Sequence, residues 1–189
     1  MRDHRKKSSL DVYVSDFSDD ALKHFREGVF EAVESGQGFV KVIINSFGGS
    51  VYNCLTMMNI LESLDVPVCT VCEGYAMSAG AALLTCGDKD LRFAHPDAVI
   101  MVHQVSSHTS GTLAEIHTDI NQTAKLQDLL FDRMAKNVGK KPGYFQKLIK
   151  NKENLDVYMT AADAQKHGIV NELKLPVIQT VNTQHVEVA

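Results

Sequence analysis

A nearly continuous run of β-branched and apolar residues, Phe39 to Asn45, constrains the fold more than any other feature of this sequence. Such runs are typical of strands that are covered on both faces, as in parallel sheets. The run ends at Gly48-Gly49, after which apolar residues at helical spacing from Val51 to Leu64 lead into a second strand-like run, Val66 to Cys72. A strand, a helix and a strand in this order predict a βαβ crossover and therefore a parallel sheet.

Strand-like and helix-like segments alternate along the rest of the chain, which favours a single α/β domain. The further predicted elements are a strand at 10–14, a helix capped by Ser18, a small-residue helix within 73–87, a strand at 98–104, a long helix opened by the capping box Thr112-Leu-Ala-Glu115 and ended by Gly139, helices at 144–150 and 160–167, and a closing strand around Ile169. We expect a short basic segment at 1–9, one domain at 10–175 with a long helical region at about 104–138, and a tail at 176–189.

Composition limits the classes of partner. The 189 residues include 19 basic and 23 acidic side chains, which give a formal net charge of −4. No overall positive field attracts nucleic acid or an anionic membrane, so neither is an expected partner. No stretch approaches the roughly 18 consecutive apolar residues that cross a bilayer, and no apolar h-region follows the basic start. We therefore expect a cytoplasmic protein without a signal peptide.

The cysteines Cys54, Cys69, Cys72 and Cys86 are too few for a disulfide framework in a chain of this length, so reduced thiols are expected. Cys69 and Cys72 form a C-x-x-C pattern, but residues three apart on a strand point to opposite faces. No second ligand pair completes a zinc set. Neither a metal nor an organic cofactor is predicted.

Ser78 is the candidate nucleophile. A hydroxyl must lie exposed at a sharp turn for a carbonyl to reach it, and Met77-Ser78-Ala79-Gly80 places the serine at the start of a helix of small residues. The alternative is that Ser78 merely caps this helix. The Gly48-Gly49 turn could supply backbone N–H groups for an oxyanion, with a plain tight turn as its alternative.

His103 is the best candidate for a general base, because among the eight histidines it alone ends a predicted buried strand. A histidine satisfied within the core is the alternative. Asp156 could orient the imidazole as the third member of a triad, although taken alone it fits a surface turn residue better.

Four segments together resemble the proteolytic subunit of the Clp protease, the ClpP family. They are Asn45-Ser-Phe-Gly-Gly-Ser50, Gly74-Tyr-Ala-Met-Ser-Ala-Gly-Ala-Ala-Leu-Leu84, Ile100-Met-Val-His-Gln104 and Tyr158-Met-Thr-Ala-Ala-Asp-Ala-Gln-Lys-His-Gly-Ile-Val170. The resemblance implies that Ser78 is the nucleophile, His103 the base and Asp156 the orienting carboxylate. It also implies an oxyanion hole formed by the amides of Gly48, Gly49 and Ala79.

The same resemblance implies crotonase-like βαβ units, a homo-oligomeric heptameric ring with ring stacking, and a closed chamber in which unfolded polypeptides are cut. A Clp-type ATPase is the implied further partner. The long helix after Thr112 corresponds to the family's handle region, about 104–138. This chain departs from the family's usual residues at Phe47, Ala79 and Val105, and Leu155 replaces an arginine.

The sequence therefore predicts a serine endopeptidase that acts through a Ser-His-Asp triad. One alternative is a catalytically silent ring subunit that scaffolds or regulates an active paralogue. A second is an acyl-CoA enzyme of the crotonase superfamily, for which oxyanion glycines would serve an enolate equally well. A serine-lysine peptidase is disfavoured, because no lysine lies at a strand end near the motifs.

Overall fold

A six-stranded sheet forms the centre of residues 9–153 and 155–178, the part of the chain that the computed structural model describes. Its strands are β1 (Asp11–Val14), β2 (Val40–Ser46), β3 (Val68–Met77), β4 (Arg92–Ala94), β5 (Val99–Val102) and β6 (Val157–Thr160). The helices are α1 (Asp19–Glu34), α2 (Val51–Glu62), α3 (Ala79–Leu84), α4 (Leu113–Asn137), α5 (Tyr144–Lys150) and α6 (Ala161–His167).

The strands follow the order β1-β2-β3-β5-β6, with β4 also paired to β3. All pairs are parallel except β5 with β6, so β6 is an antiparallel edge strand. The predicted α/β class and the predicted parallel pairing of β2 with β3 are confirmed. The antiparallel edge was not predicted, because a four-residue strand carries little sequence information about the direction of its pairing.

Two hydrophobic clusters lie on opposite sides of the sheet, because successive residues of a strand point to opposite faces. Ile44 belongs to the larger cluster, which the helices cover, whereas Ile43 belongs to a smaller cluster with Cys69, Val71 and Phe93. Cys72 lies in the larger cluster, so Cys69 and Cys72 do point to opposite faces.

Helix boundaries fall at the polar caps that the sequence supplies. The Ser18 Oγ accepts a hydrogen bond from the Ala21 N–H at 3.2 Å, and Thr112 with Glu115 forms the predicted capping box at the start of α4. Gly168 ends α6 in the left-handed conformation, with φ of +81°. These helix boundaries could therefore be predicted from the polar caps and glycines in the sequence.

The predicted closing strand around Ile169 is wrong. Glu172 makes only an isolated bridge with Phe93, because the short β4 offers few backbone groups for pairing. The Asn171 and Glu172 N–H groups both donate to the Arg92 carbonyl oxygen instead.

Parts of the predicted chain organisation fall on residues that the structure does not describe. The proposed N-terminal segment at 1–9 and tail at 176–189 lie outside the described residues except for Ser9 and residues 176–178. The boundaries of the central domain and of the handle region stay predictions. In the described ranges, no helix combines the length and the apolar character that crossing a membrane requires.

Candidate active site

Ser78 occupies a strained turn between β3 and α3. Its φ of +54° and ψ of −118° lie outside the regions that a residue with a side chain usually adopts. Its N–H donates to the Met101 carbonyl oxygen at 2.8 Å, and its own carbonyl accepts from Ala82. The Ser78 side chain makes no capping hydrogen bond to α3. It therefore does not act as a helix cap, which was the alternative that the sequence allowed.

His103 meets Ser78 because β3 and β5 are neighbouring parallel strands whose C-terminal ends lie at the same edge of the sheet. The His103 Nε2 atom is 2.8 Å from the Ser78 Oγ. If Nε2 accepts the hydroxyl proton, the ring proton resides on Nδ1. The side chain of His103 is 27% exposed, so it is not a satisfied core histidine.

Asp156 lies on the other side of the His103 ring. The antiparallel pairing of Val102 with Val157 places the residue after β5 beside the residue before β6. The Asp156 Oδ1 is 3.5 Å from the His103 Nδ1, and the Asp156 side chain is 50% exposed. This separation is longer than a normal hydrogen bond, so the carboxylate faces the ring nitrogen without a close contact.

The glycine turn after β2 packs directly against Ser78. Gly48 has φ of +100°, and a Cβ atom added there would lie 2.7 Å from the Ser78 Cβ and 3.1 Å from the Ala79 nitrogen. Only glycine therefore permits this approach. The Gly48 N–H donates to the Ser46 Oγ at 3.1 Å, within its own turn.

Asn45 fixes the relation between this turn and β3, a role that the sequence reasoning missed. The register of β2 against β3 shifts between Ile44 and Ser46. At the shift, the Asn45 Oδ1 accepts hydrogen bonds from the backbone N–H groups of Gly74 at 2.8 Å and Tyr75 at 3.4 Å. An asparagine just before a glycine turn was the only available signal, and it does not by itself indicate which strand the side chain bridges.

A cleft of about 260 Å³ opens beside Ser78. Its lining residues are Gly49, Ser50, Val51, Tyr52, Ser78, Ala79, His103, Val105, Ser106 and Leu130. His103 is the one titratable side chain among them apart from the phenol of Tyr52, which is 56% exposed. The cleft can therefore hold an uncharged side chain or an extended backbone against the Ser78 hydroxyl.

The cysteines lie outside this chemistry. All four are buried as free thiols, and burial raises the pKa of Cys54 to about 12. The Cys54 Sγ contacts the Ala79 carbonyl oxygen at 3.4 Å, beneath the turn. The structure, over the residues that it describes, holds no cluster of three or more histidine, cysteine or acidic side chains with metal-binding geometry.

A hydroxyl, an imidazole and a carboxylate at one edge of an α/β sheet form the type of arrangement that serine hydrolases use. Comparison with known proteins gives the family directly. A model of the Clp protease family matches residues 21–175, and this chain belongs to that family. The predicted family and its fold are thus confirmed.

A curated relative, the ATP-dependent Clp protease proteolytic subunit of Deinococcus radiodurans, is 33% identical over 134 residues. The matched region is 71% of this chain and 64% of that relative. The roles of Ser78, His103 and Asp156, and of the oxyanion amides, stay predictions.

Proposed function

We propose that this protein is a serine endopeptidase that cleaves extended or unfolded polypeptide through an acyl-enzyme. The observation that carries the proposal is the 2.8 Å contact between the Ser78 Oγ and the His103 Nε2, made from a turn with positive φ that exposes the hydroxyl. Membership of the Clp protease family supports the same reaction class.

In the first step, the Ser78 Oγ attacks the carbonyl carbon of the scissile peptide bond while His103 Nε2 accepts the hydroxyl proton. A tetrahedral oxyanion forms. His103 then gives its proton to the leaving amine nitrogen as the C–N bond breaks, which leaves an ester on Ser78. Water, deprotonated by His103, attacks this ester and releases the carboxyl product and the free hydroxyl.

Asp156 has the role of a positioning and charge-stabilising group. Its carboxylate faces the His103 Nδ1, so it favours the tautomer in which Nε2 accepts a proton, and it stabilises the imidazolium. The 3.5 Å separation and half-exposed carboxylate suit an orienting contact that shortens when substrate binds.

The oxyanion is assigned to the N–H groups of Gly49 and Ala79, because both residues line the cleft that contains Ser78. Gly48 leaves them room because it carries no side chain. For Gly48 to donate a third hydrogen bond, its N–H would have to leave the Ser46 Oγ.

The family likeness further supports assembly into a ring chamber, with a Clp-type ATPase as partner. The exposed apolar side chains Leu113, Ile120 and Leu129 of α4 fit a surface that another subunit covers. Sedimentation velocity tests this assembly, because a single chain and a seven-membered ring differ widely in sedimentation coefficient.

Labelling with a fluorophosphonate probe tests the proposed chemistry. The native protein should label at one site, and Ser78→Ala should remove the label. His103→Ala should slow labelling strongly, whereas His95→Ala, outside the cleft, should leave it unchanged. Failure of the native protein to label in any assembly state would leave the silent ring subunit as the better hypothesis.

A further inference from the structure

A lysine-rich segment connects α4, which reaches the cleft at Leu130, to Asp156 before β6, and it takes no part in the proposed reaction. Residues 136–152 contain six lysines and no acidic residue, although the whole chain has a net charge of −4. These lysines, here called the lysine ridge, are Lys136, Lys140, Lys141, Lys147, Lys150 and Lys152. All are exposed except Lys140, which is partly buried.

Among the ion pairs formed within the described ranges, none includes a ridge lysine. Two acidic residues flank the ridge: the Asp132 Oδ1 accepts hydrogen bonds from the Gly143 N–H and from Gln146, and the exposed Glu153 follows Lys152 directly. Burial, and secondly the charge of Lys140, lowers the pKa of His167. The six like charges of the ridge repel one another, and an anionic partner that binds there reduces this repulsion.

The ridge is joined along the chain to the cleft at its first end and to Asp156 at its second. Leu130 lines the cleft, and α4 continues from it to Lys136 over six residues, about 9 Å of helix. At the other end the Leu155 N–H donates to the Lys152 carbonyl oxygen at 3.0 Å, and Asp156 follows directly. An extended chain covers about 9 Å in three residues, so a polypeptide that leaves the cleft along α4 reaches Lys136 within that length.

We propose that the lysine ridge binds acidic segments of polypeptide substrates and directs them to the Ser78 cleft. This inference rests on the proposed peptidase function and names a substrate class for it. Exposed charge pairs contribute little individually and are screened by salt, so the ridge acts on capture and leaves the chemical step unchanged.

A polypeptide fits the ridge better than a nucleic acid does. Single-stranded nucleic acids are held by exposed aromatic rings on which bases stack, in addition to positive charge. The two aromatic residues of the ridge segment are engaged elsewhere: Phe145 is buried, and the Tyr144 hydroxyl lies 2.7 Å from the His167 Nδ1.

Binding by the Ser78→Ala protein tests the inference without requiring turnover. A fluorescent peptide rich in glutamate is compared by anisotropy with the same peptide carrying glutamine. The ridge variant is Lys147→Glu/Lys150→Glu/Lys152→Glu. The control variant, Lys23→Glu/Lys89→Glu/Lys125→Glu, changes three exposed lysines outside the ridge and alters the net charge equally.

The acidic peptide should bind about tenfold more tightly than the glutamine peptide at low salt, and the preference should shrink as salt is raised. The ridge variant should lose the preference and the control variant should keep it. In the Ser78-containing protein, the ridge variant should raise KM for the acidic peptide by a similar factor with kcat unchanged.

Three outcomes would overturn the inference: no preference in the native sequence, an equal loss in both variants, or tighter binding of an oligonucleotide of matched charge. Failure to cleave either peptide would count against the peptidase function alone, since binding is measured separately. If the glutamate variant does not fold, as judged by circular dichroism, the triple Lys→Gln variant replaces it, with loss of the preference still expected.

Discussion

The Ser78 Oγ and the His103 Nε2 lie 2.8 Å apart because Met77 on β3 pairs with Met101 on β5 in a parallel register. Ser78 and His103 each come directly after the last residue of their strand, so the sheet itself sets their separation. The pairing of β5 with β6 brings Asp156 to the same edge. Sheet hydrogen bonds, more than loop contacts, therefore hold the three groups together.

Gly48→Ala should strongly reduce the reactivity of Ser78 without unfolding the protein. The added Cβ would lie 2.7 Å from the Ser78 Cβ, so the Ser78 turn must move. A displacement of about 1 Å at a reacting group costs on the order of 10²-fold in rate, and we expect at least that loss of fluorophosphonate labelling.

Gly36→Ala is the matched control for Gly48→Ala. Gly36 also has positive φ, +75°, but a Cβ there meets nothing within 4 Å. It should cost about 1 kcal/mol of stability and leave labelling unchanged. Equal labelling by the two variants would contradict the close approach of Gly48 to Ser78.

Asp156→Asn should lower kcat for a short peptide by about 10²- to 10⁴-fold with little change in KM, because asparagine cannot stabilise the imidazolium. We place the loss toward the smaller end, since the carboxylate is half exposed and 3.5 Å from the ring. Asp97→Asn is the control: Asp97 lies 3.7 Å from the Nδ1 of His95, away from the cleft, and its replacement should not alter kcat.

Local signals made most of the fold predictable. Ser18, Thr112 and Gly168 marked helix ends because caps depend on a few neighbouring residues, and the run from Phe39 to Asn45 marked a central strand. Contacts between segments that are far apart in the sequence were harder to predict. The short β4 was not predicted, because its three residues pair with β3 through a register that no local pattern encodes.

The residues of the candidate site could be predicted from the sequence to a similar extent. Ser78 and His103 follow strand ends, which is where α/β proteins place reactive groups, and the family likeness selected them. The role of Asn45 depends on a register shift between β2 and β3, which only the folded structure reveals. The hydrogen bond from the Gly48 N–H to the Ser46 Oγ is likewise a detail of turn geometry that residue types do not determine.

The native thiols should be inert. Burial raises the pKa of Cys54 and of Cys72 to about 12 and that of Cys69 to about 11, and it raises the pKa of Cys86 as well. At pH 8 a thiol with a pKa of about 12 is ionised to only about one part in 10⁴. N-ethylmaleimide should therefore leave the native protein unmodified by mass spectrometry and leave its labelling intact, while all four thiols react after unfolding in guanidinium. Rapid modification of the native protein with loss of labelling would contradict this burial.

Arg92→Met should destabilise the fold. Arg92 is 5% exposed, and its Nη1 donates to the Gly87 carbonyl oxygen at 2.8 Å and approaches that of Asn137 at 3.4 Å. The guanidinium thus joins the turn before β4 to the end of α4. Loss of these bonds leaves the buried Gly87 carbonyl oxygen without this donor, so we expect a decrease of about 2–3 kcal/mol in the free energy of unfolding. Arg26→Met, at an exposed position on α1, should change thermal unfolding little.

His167 should make the stability of the fold depend on pH. Burial, and secondly Lys140, lowers the pKa of His167, and its Nδ1 lies 2.7 Å from the Tyr144 hydroxyl. The folded state therefore binds a proton less readily than the unfolded chain, so protons are taken up on unfolding. The stabilisation is complete above the unfolded pKa of about 6.5 and is lost as the pH falls through the lower pKa of the folded state.

His167→Asn keeps an acceptor for Tyr144 but cannot be protonated, so its melting temperature should fall less than that of the native protein between about pH 7.5 and pH 5.5. His24→Asn, on the exposed face of α1, should keep the native dependence; an unchanged dependence in His167→Asn would assign the effect to other groups.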